Sequence, residues 1–521
     1  MLHKIRNFIS HHKVEVALLI IILLVASFMR LYRISDYMTF LGDEGRDAIV
    51  ARDILHGNFT LLGPRASAGD FFLGPIYYYM MAPFLLMTNY DPVGPAIMVA
   101  LFGIATVFLI YYVGRRFFDP KAALIAAGLY SISPLVIAYS RSSWNPNPMP
   151  FFSLLMLFLL YEAVKGNKKT LFLVVGVLLG IAMQLHYLST FLGAIIFFFV
   201  VCGYLLKDKK KFLVKSIVSY LLIAAGFVGG LLPFLLFEAR HGFPNIRTIA
   251  SFIFETNNTS GYVPGSSFSG NIYDVFFRLF ARVVMKYPAP NMLDHSFHLN
   301  LEVWKVGTII LAMASIIILT KSKDKLKVLL LMLWLVVGVS LFGLYRRSIY
   351  DYYLGFLFPL PFLLIGNLIS KTFEYGKNKK IGVFIASSVL AIIVVLNLSG
   401  MPFRYPANKQ KDQAKRIADF ILSKTNHKPY NFALLTNGNS DHVYRYFLEA
   451  ADQAPVTIEN TTIDPQRNSV TDQLIVVCER PTCSPLGDPL WEVAGFGRAE
   501  IKGEWDVPYV KIYRLEHFKA Q

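Results

Sequence analysis

The stretch VEVALLIIILLVASFM, from Val14 to Met29, decides the class of fold. It opens an apolar span over residues 14–33, close to the ~20 residues that a membrane crossing requires, and it lacks the small-residue cleavage site of a signal peptide. Similar apolar runs follow, and 55% of the 521 residues are hydrophobic while 16% are charged. This composition is typical of a membrane-embedded chain rather than of a soluble globular protein. We therefore predict a polytopic α-helical membrane protein whose first helix is retained.

The apolar runs predict a fold of about 11 to 13 transmembrane helices, with eleven spans that can be placed along the chain. These spans lie near residues 14–33, 93–113, 121–139, 150–164, 170–186, 188–206, 212–237, 302–320, 326–344, 351–370 and 380–399.

The segment Phe71 to Met87 is also long enough to cross, and the lysines decide between the two topologies. If it crossed, five strongly basic short loops would face outward, against the positive-inside rule. We therefore predict that it lies along the membrane, that the N-terminus is cytoplasmic and that the C-terminus is extracytoplasmic. The basic loops then placed inside contain Lys4, Arg6 and Lys13; Arg115, Arg116 and Lys121; Lys165, Lys168 and Lys169; Lys207 to Lys211; Lys321 to Lys327; and Lys371 to Lys380.

The composition also divides the chain into two predicted domains. Residues 1–400 form the membrane domain, with a first outer loop at 34–92 and a long outer loop at 238–301. The polar region 401–521 combines helical periodicity with short strand-like runs, which predicts a small extracytoplasmic α/β domain.

Cysteine and charge content add two further constraints. Cys478 and Cys483 are close enough in sequence to pair if the C-terminal domain is extracytoplasmic. The net charge of +17 comes from clusters between apolar runs, which is typical of a cytoplasmic membrane face and argues against nucleic-acid binding.

Asp43 and Glu44, in the first outer loop, are the candidate catalytic residues. Acidic groups beside a bilayer are costly, and a carboxylate there can accept a proton from an attacking nucleophile while its neighbour orients the acceptor or binds a metal. The alternative is that the pair simply caps a helix. Asp47 and Asp53, with basic neighbours, are predicted to form the solvated face of the same helix.

Other candidates lie in the predicted outer loops. Arginines in these loops are suited to bind the phosphate of a lipid-linked leaving group, because the planar guanidinium can donate two parallel hydrogen bonds to phosphate oxygens. Tyrosine hydroxyls can donate further hydrogen bonds to the same oxygens. The candidates for phosphate binding are Arg141, Arg240, Arg347 and Tyr350. Tyr77, Tyr78 and His186 are candidates for lining a substrate path, although interfacial anchoring explains such tyrosines equally well.

Several well-known motifs are missing from the sequence. It contains no Walker loop, no GxGxxG after a strand, no HExxH and no spaced Cys/His metal set. A soluble nucleotide-sugar donor site therefore has no place in it, which favours a donor presented by the membrane. We expect no diffusible cofactor; a divalent metal is compatible with the pattern but not indicated by it.

The chain resembles the membrane-embedded GT-C glycosyltransferases that use polyprenyl-phosphate sugars, particularly the protein O-mannosyltransferase and lipid A aminoarabinose transferase branch. The resemblance covers residues 1–400 and rests on the order of its pieces: Gly42-Asp43-Glu44 after one span, Gly74-Pro75-Ile76-Tyr77-Tyr78-Tyr79, Gly114-Arg115-Arg116-Phe117-Phe118, Ser133-Pro134, and Tyr350-Asp351-Tyr352-Tyr353-Leu354 before Pro359. The family often has His-Pro-Pro where this chain has Leu73-Gly74-Pro75, and an arginine early in the second span that this chain lacks.

The resemblance implies that Asp43 is the catalytic carboxylate, with Glu44 beside it, and that later outer arginines and tyrosines hold the lipid phosphate. The function it predicts is inverting transfer of a hexose or pentose from a polyprenyl-phosphate carrier to an acceptor protein, lipid or cell-envelope glycan, outside the membrane. The alternative is a transporter or lipid flippase, but the acids lie in an outer loop and the spans are nearly uncharged. A third hypothesis makes the C-terminal domain the active part, for which so many spans would be excessive.

Overall fold

The computed structural model describes residues 9–66, 70–254, 267–286, 298–375 and 379–519. Lys4, Arg6 and parts of the long outer loop at 238–301 lie outside this range. The chain forms two compact units: the membrane unit, composed of Met1–Tyr32, Phe59–Met80 and Ala96–Pro406, and the second unit, composed of Arg33–Asn58, Met81–Pro95 and Ala407–Gln521.

The membrane unit is helical. Its helices are α1 (Lys13–Leu31), α4 (Ile76–Met87), α5 (Val93–Phe117), α6 (Pro120–Ser131), α7 (Pro134–Tyr139), α8 (Met149–Gly166), α9 (Lys169–Leu185), α10 (Thr190–Lys207), α11 (Phe212–Gly230), α12 (Leu232–His241), α13 (Pro244–Phe254), α14 (Phe268–Phe280), α15 (His298–Thr320), α16 (Lys325–Ser340), α17 (Pro359–Phe373) and α18 (Lys379–Ser399). Helices α4 and α5 also have residues that belong to the second unit. The 3-10 turns are Tyr187–Ser189, Leu341–Leu344, Asp351–Leu357 and Pro402–Arg404.

In the described part of the chain, eight helices are long and apolar enough to cross a membrane. A ninth span results if the 3-10 turn Asp351–Leu357 and α17, bent by 58°, count as one. Every span expected from hydropathy corresponds to helical structure, so the prediction of a polytopic helical fold is confirmed.

Three predicted spans are broken rather than continuous. The span at 121–139 divides into α6 and α7, because Ser133 caps a new helix that begins at Pro134. The span at 212–237 divides before Pro233, and the one at 351–370 bends before Pro359. Proline lacks the N–H that a helix interior needs, so each break begins a new helix with proline in its first turn.

The basic loops converge at one end of the membrane unit. Glu15, at the start of α1, accepts a hydrogen bond from Arg115 Nε at 2.6 Å at the end of α5. Lys327 at the start of α16 donates to the Phe117 carbonyl, and Lys165 at the end of α8 lies 3.2 Å from Asp324. These contacts place the loops predicted to face inward together.

The loops predicted to face outward meet at the opposite end. Arg141 donates to the carbonyls of Met29 and Tyr32, both at 2.8 Å, where α1 ends. The hydroxyls of Tyr187 and Tyr345 are 2.7 Å apart, which joins two further loops of this group. The basic loops and the loops predicted to face outward therefore lie at opposite ends of the membrane unit, as the positive-inside rule requires for the predicted topology.

Helix α4 supports the expectation that residues 71–87 do not cross. Its 12 residues extend about 18 Å, well short of the ~30 Å hydrocarbon core. The helix therefore lacks the length of a crossing segment.

The second unit is an α/β domain. It contains α2 (Ile34–Tyr37), α3 (Gly42–Leu55), α19 (Gln410–Lys424), α20 (His442–Ala450) and α21 (Trp491–Phe496), with strands β1 (Asn431–Leu435), β2 (Gln473–Cys478), β3 (Ala499–Val507) and β4 (Val510–His517). The sheet order is β1-β2-β4-β3, with β1 parallel to β2 and the other pairs antiparallel. Every residue of β1 and β2 is buried, which explains the apolar runs Phe432–Leu435 and Leu474–Cys478 that follow the first residue of each strand.

The composition placed the whole first outer loop, residues 34–92, with the membrane domain. In the structure Arg33–Asn58 and Met81–Pro95 belong to the second unit, because α3 packs on α20. Lys411 of α19 also binds Asp91, with Nζ 2.7 Å from Oδ2. Hydropathy does not contain these tertiary contacts, so sequence alone could not assign these segments.

The second unit contains a disulfide between Cys478 and Cys483, the pair considered from the sequence. Cys478 is the last residue of β2, so the bond anchors the loop that follows this strand. Cys202, in α10, is not part of it.

Candidate functional site

Helix α3 presents the acidic pair at its first turn. The helix begins at Gly42 because Leu41 is extended and its N–H donates to Glu44 Oε2 at 3.0 Å. The Gly42 N–H donates to Asn439 Oδ1 at 2.9 Å. Asp43 points outward, with 54% of its side chain exposed, and accepts a hydrogen bond from Arg46 at 2.8 Å.

Glu44 is buried and serves as the cap of its own helix. Burial, helped by the charges of Asp43 and Asp47 and opposed by the hydrogen bond from the Leu41 N–H, raises the pKa of its carboxyl to about 7. The two adjacent acids are therefore different groups chemically: one exposed, and one buried that holds its proton to near-neutral pH.

Asp47 is not on a solvated face, so that prediction was wrong. It is fully buried, and its Oδ1 accepts from Arg46 Nε at 2.9 Å and from Nη2 at 2.7 Å. The physical reason is the packing of α3 on α20, which buries much of the helix. Asp53, six residues further along the helix, is partly exposed.

A polar network adjoins the start of α3 within the second unit. Glu479 accepts from Asn439 Nδ2 at 3.0 Å and from the Tyr444 hydroxyl at 2.8 Å through Oε1, and from Thr436 at 2.7 Å through Oε2. Asn439 and Glu479 were not predicted as site residues. A signal was present, because Thr436 and Glu479 directly follow two buried parallel strands, where polar groups commonly gather.

His442 begins α20 in the same region. Its Nδ1 lies 2.5 Å from the Ser440 hydroxyl. Burial lowers the pKa of the imidazole, as do the charges of Arg445 and Arg46, while Asp441 and Asp43 act in the opposite direction. Burial thus favours the neutral form of this imidazole, and Asp43 is among the charges that act on it.

A second group of charges lies at the outer end of the membrane unit. Asp351 is buried and is paired with two arginines, Arg282 at 2.7 Å and Arg278 at 3.3 Å. Arg278 also donates to the Ile349 carbonyl at 2.8 Å. These two arginines were not predicted as site residues, although a spacing of four is typical of neighbours on one helix face; in the structure Arg278 belongs to α14 and Arg282 follows its end.

The predicted phosphate-binding residues fall into two kinds of environment. Arg240 is exposed at the end of α12, Arg347 is partly exposed, and Tyr350 is half-exposed with its ring 5.7 Å from that of Tyr352. Arg141 is buried, with both Nη atoms donating to main-chain carbonyls. Arg141 therefore joins loops, whereas the others present polar groups at the surface.

The predicted path residues are buried in the membrane unit. Tyr77 is fully buried with its hydroxyl 2.8 Å from Ser143 Oγ, and Tyr78 is buried as well. The His186 ring packs against Tyr187 at 4.7 Å, and its Nδ1 lies 3.3 Å from the Leu188 N–H. None of the three projects from the surface as an interfacial anchor would.

Part of the chain is similar in sequence to known mannosyltransferases. Residues 73–236 match the family model of dolichyl-phosphate-mannose-protein mannosyltransferases. A curated relative, the putative mannosyltransferase YycA of Bacillus subtilis (strain 168), is 28% identical over 147 residues, which is 28% of this chain and 22% of the relative. The match thus spans about a fifth of that relative's length.

Solved structures resemble the whole chain. ArnT from Cupriavidus metallidurans, bound to undecaprenyl phosphate, has a TM-score of 0.60 at 14% identity, with 96% of this chain and 97% of that one covered. The oligosaccharyltransferase AglB from Archaeoglobus fulgidus, in complex with an inhibitory peptide and a dolichol-phosphate, has a TM-score of 0.54 at 13% identity, with 96% and 74% covered. The chain therefore has the fold of the GT-C glycosyltransferases, and its residues 73–236 resemble the dolichyl-phosphate-mannose-protein mannosyltransferases.

Proposed function

We propose that this protein is an integral membrane glycosyltransferase, which transfers one sugar from a polyprenyl-phosphate carrier to an acceptor on the outer side of the membrane. The similar structures were solved with undecaprenyl phosphate and with dolichol-phosphate, and the matching family is named for a dolichyl-phosphate-mannose donor. The acceptor class is a protein, a lipid or a cell-envelope glycan, and the sugar is a hexose or a pentose.

The observation that carries the proposal is the exposure of Asp43 beside a buried, helix-capping Glu44. Asp43 takes the proton of the acceptor nucleophile as that nucleophile forms its bond to the anomeric carbon. The bond from this carbon to the phosphate oxygen breaks at the same time, and the carrier leaves as polyprenyl phosphate. Attack opposite the departing phosphate inverts the anomeric configuration. Glu44 contributes by fixing the helix start that carries Asp43.

The donor phosphate gains negative charge as it leaves, and cationic donors stabilise it. Among the predicted phosphate-binding residues, we assign direct contact to Arg240, Arg347 and Tyr350, because their side chains reach the surface. Arg141 supports this end of the membrane unit through its carbonyl contacts. We assign Tyr77, Tyr78 and His186 to the wall of the substrate path.

The proposed location is a cell membrane, with the N-terminus in the cytoplasm and the second unit outside. The disulfide between Cys478 and Cys483 supports an extracytoplasmic second unit, because such bonds persist in oxidising compartments. The clustering of the basic loops at one end supports the same orientation. No diffusible cofactor takes part in the proposed reaction.

The test is transfer from polyprenyl-phosphate-linked radiolabelled hexoses and pentoses to membrane extract by purified protein. Asp43→Asn should lower the transfer rate by about 100-fold or more, as loss of a general base does. Asp53→Asn, on the same helix, is the matched control and should transfer at the wild-type rate. Parallel reactions with EDTA or with added Mg²⁺ and Mn²⁺ test the cofactor proposal.

A well-folded Asp43→Asn protein that transfers as fast as wild type would show that Asp43 is not the base. A wild-type protein that moves labelled carrier across vesicles without transferring sugar would instead support the flippase alternative.

A further inference from the structure

We propose that Asn439 is a positioning residue for Asp43, so that the sheet of the second unit sets the place of the catalytic carboxylate. The inference rests on the proposed function, in which Asp43 is the base. Asn439 touches neither the donor nor the acceptor in this proposal. It acts through the main chain of Gly42, the residue before Asp43.

The contact is a hydrogen bond to the first turn of α3. Asn439 Oδ1 accepts from the Gly42 N–H and from the Ser440 N–H, both at 2.9 Å. The first N–H groups of a helix have no partner within it, so an acceptor from another segment fixes where the helix begins. Glu44 satisfies a neighbouring N–H, that of Leu41, from within α3. Asn439 therefore makes the bond that ties this turn to the rest of the unit.

Two glycines bring the main chains close enough for this bond. A Cβ added at Gly42 would lie 2.4 Å from the Ser440 Cβ, and one at Gly45 would lie 2.3 Å from the His442 carbonyl oxygen. Neither site has room for any other residue without a shift of the main chain. The first turn of α3 thus rests directly on the segment between β1 and α20, and a displacement of that segment displaces Asp43.

Glu479 determines which way the Asn439 amide faces. Its Oε1 accepts from Asn439 Nδ2 at 3.0 Å, so the amide oxygen must face Gly42. Tyr444 and Thr436 also donate hydrogen bonds to this carboxylate. Glu479 directly follows Cys478, the last residue of β2 and a partner in the disulfide. The network therefore connects the acidic pair to the sheet of the second unit.

The orientation of the Asp43 side chain also depends on the first turn of α3. Asp43 accepts a hydrogen bond from Arg46, which belongs to the same helix and also binds Asp47. The carboxylate is therefore oriented from within α3, and the position of the whole helix start decides where it points. A misplacement of about 1 Å can lower a rate about 100-fold.

The experiment exchanges the donor and acceptor roles of Asn439 and Glu479. Asn439→Asp keeps an acceptor for Gly42 but places a carboxylate against Glu479, and Glu479→Gln removes the charged acceptor. In the double variant the glutamine amide can donate to the new carboxylate while Tyr444 and Thr436 keep partners. We expect kcat to fall at least about tenfold in each single variant and to recover in the double variant, with KM for the donor nearly unchanged.

Hydrogen exchange gives a second readout that does not depend on activity. Peptides covering residues 40–47 should exchange faster in Asn439→Ala than in wild type, because the Gly42 amide loses its acceptor. Asn468→Ala, which alters an exposed asparagine of the same unit, should leave both exchange and kcat unchanged.

The outcomes separate this inference from the proposed function. Unchanged exchange over residues 40–47 in Asn439→Ala overturns the positioning role, whatever the activity. Faster exchange in a protein whose wild type transfers no sugar overturns the proposed function while leaving the contact established. A double variant no more active than its single variants contradicts the assigned hydrogen-bond pattern.

Discussion

Asp43 and Glu44 are adjacent residues that experience different surroundings. Successive residues on a helix point about 100° apart, so two adjacent side chains can have different surroundings. Glu44 is buried and bonded to the Leu41 N–H, whereas Asp43 is 54% exposed. The helix-cap alternative considered from the sequence therefore describes Glu44. Asp43 is left in contact with solvent, which its proposed role as base requires.

Glu44 should make stability depend on pH. Its folded pKa of about 7 lies above the ordinary value of 4.5, so between these values the folded protein holds a proton that the unfolded chain has released. The free energy of unfolding should therefore decrease as pH rises from about 4.5 to 7, by about 3 kcal/mol in total. The measurement is the apparent Tm of purified protein across this range.

Glu44→Gln, which keeps an acceptor for Leu41 and has no titrating proton, should remove most of this slope. Asp53→Asn leaves Glu44 in place and should retain it. Equal slopes for Glu44→Gln and wild type would mean that another group causes the pH dependence.

At the scale of elements, hydropathy located the helices but not their breaks. Apolar length reports how much chain can lie in lipid, which is why each predicted span corresponds to helical structure. The interruption at Ser133 and the 58° bend before Pro359 depend on capping and on proline, and these act locally. Both signals were in the sequence. The direction that the chain takes after each break depends on how the helices pack, which the sequence does not show.

Asp351 should stabilise the outer end of the membrane unit, because it joins α14 and the segment after it to the 3-10 turn at Asp351–Leu357. Asp351→Ala leaves Arg278 and Arg282 without their buried partner, which should lower the free energy of unfolding by about 2 kcal/mol. Thermal unfolding in detergent should show a lower apparent Tm.

Asp274→Ala is the matched control for this change. Asp274 also pairs with Arg278, at 2.9 Å, but its side chain is 43% exposed, so its loss should cost less than about 0.5 kcal/mol. Similar Tm decreases for the two variants would contradict a special role for the buried carboxylate.

For the whole molecule, the sequence predicted which basic loops lie together, but not which segments belong to each unit. Lysine clusters are local features, and the contacts of Glu15 with Arg115 and of Lys165 with Asp324 bring the clusters together as expected. The assignment of Arg33–Asn58 to the second unit depends instead on contacts between segments about 400 residues apart, such as Gly42 with Asn439. No periodicity or composition encodes such a pairing, so Asn439 and Glu479 could not be predicted as neighbours of the acidic pair.

Orientation in the membrane gives the last prediction. Asp70 is 83% exposed on the predicted outer side, and Lys323 is exposed in a basic loop at the opposite end. In a Cys202→Ser background, Asp70→Cys should react with a membrane-impermeant maleimide in intact cells, whereas Lys323→Cys should react only after permeabilisation. Cys478 and Cys483 should not react, because they are paired. Labelling of both new cysteines from the same side would mean that residues 71–87 cross the bilayer after all, since an odd number of crossings must separate the two sites for them to differ.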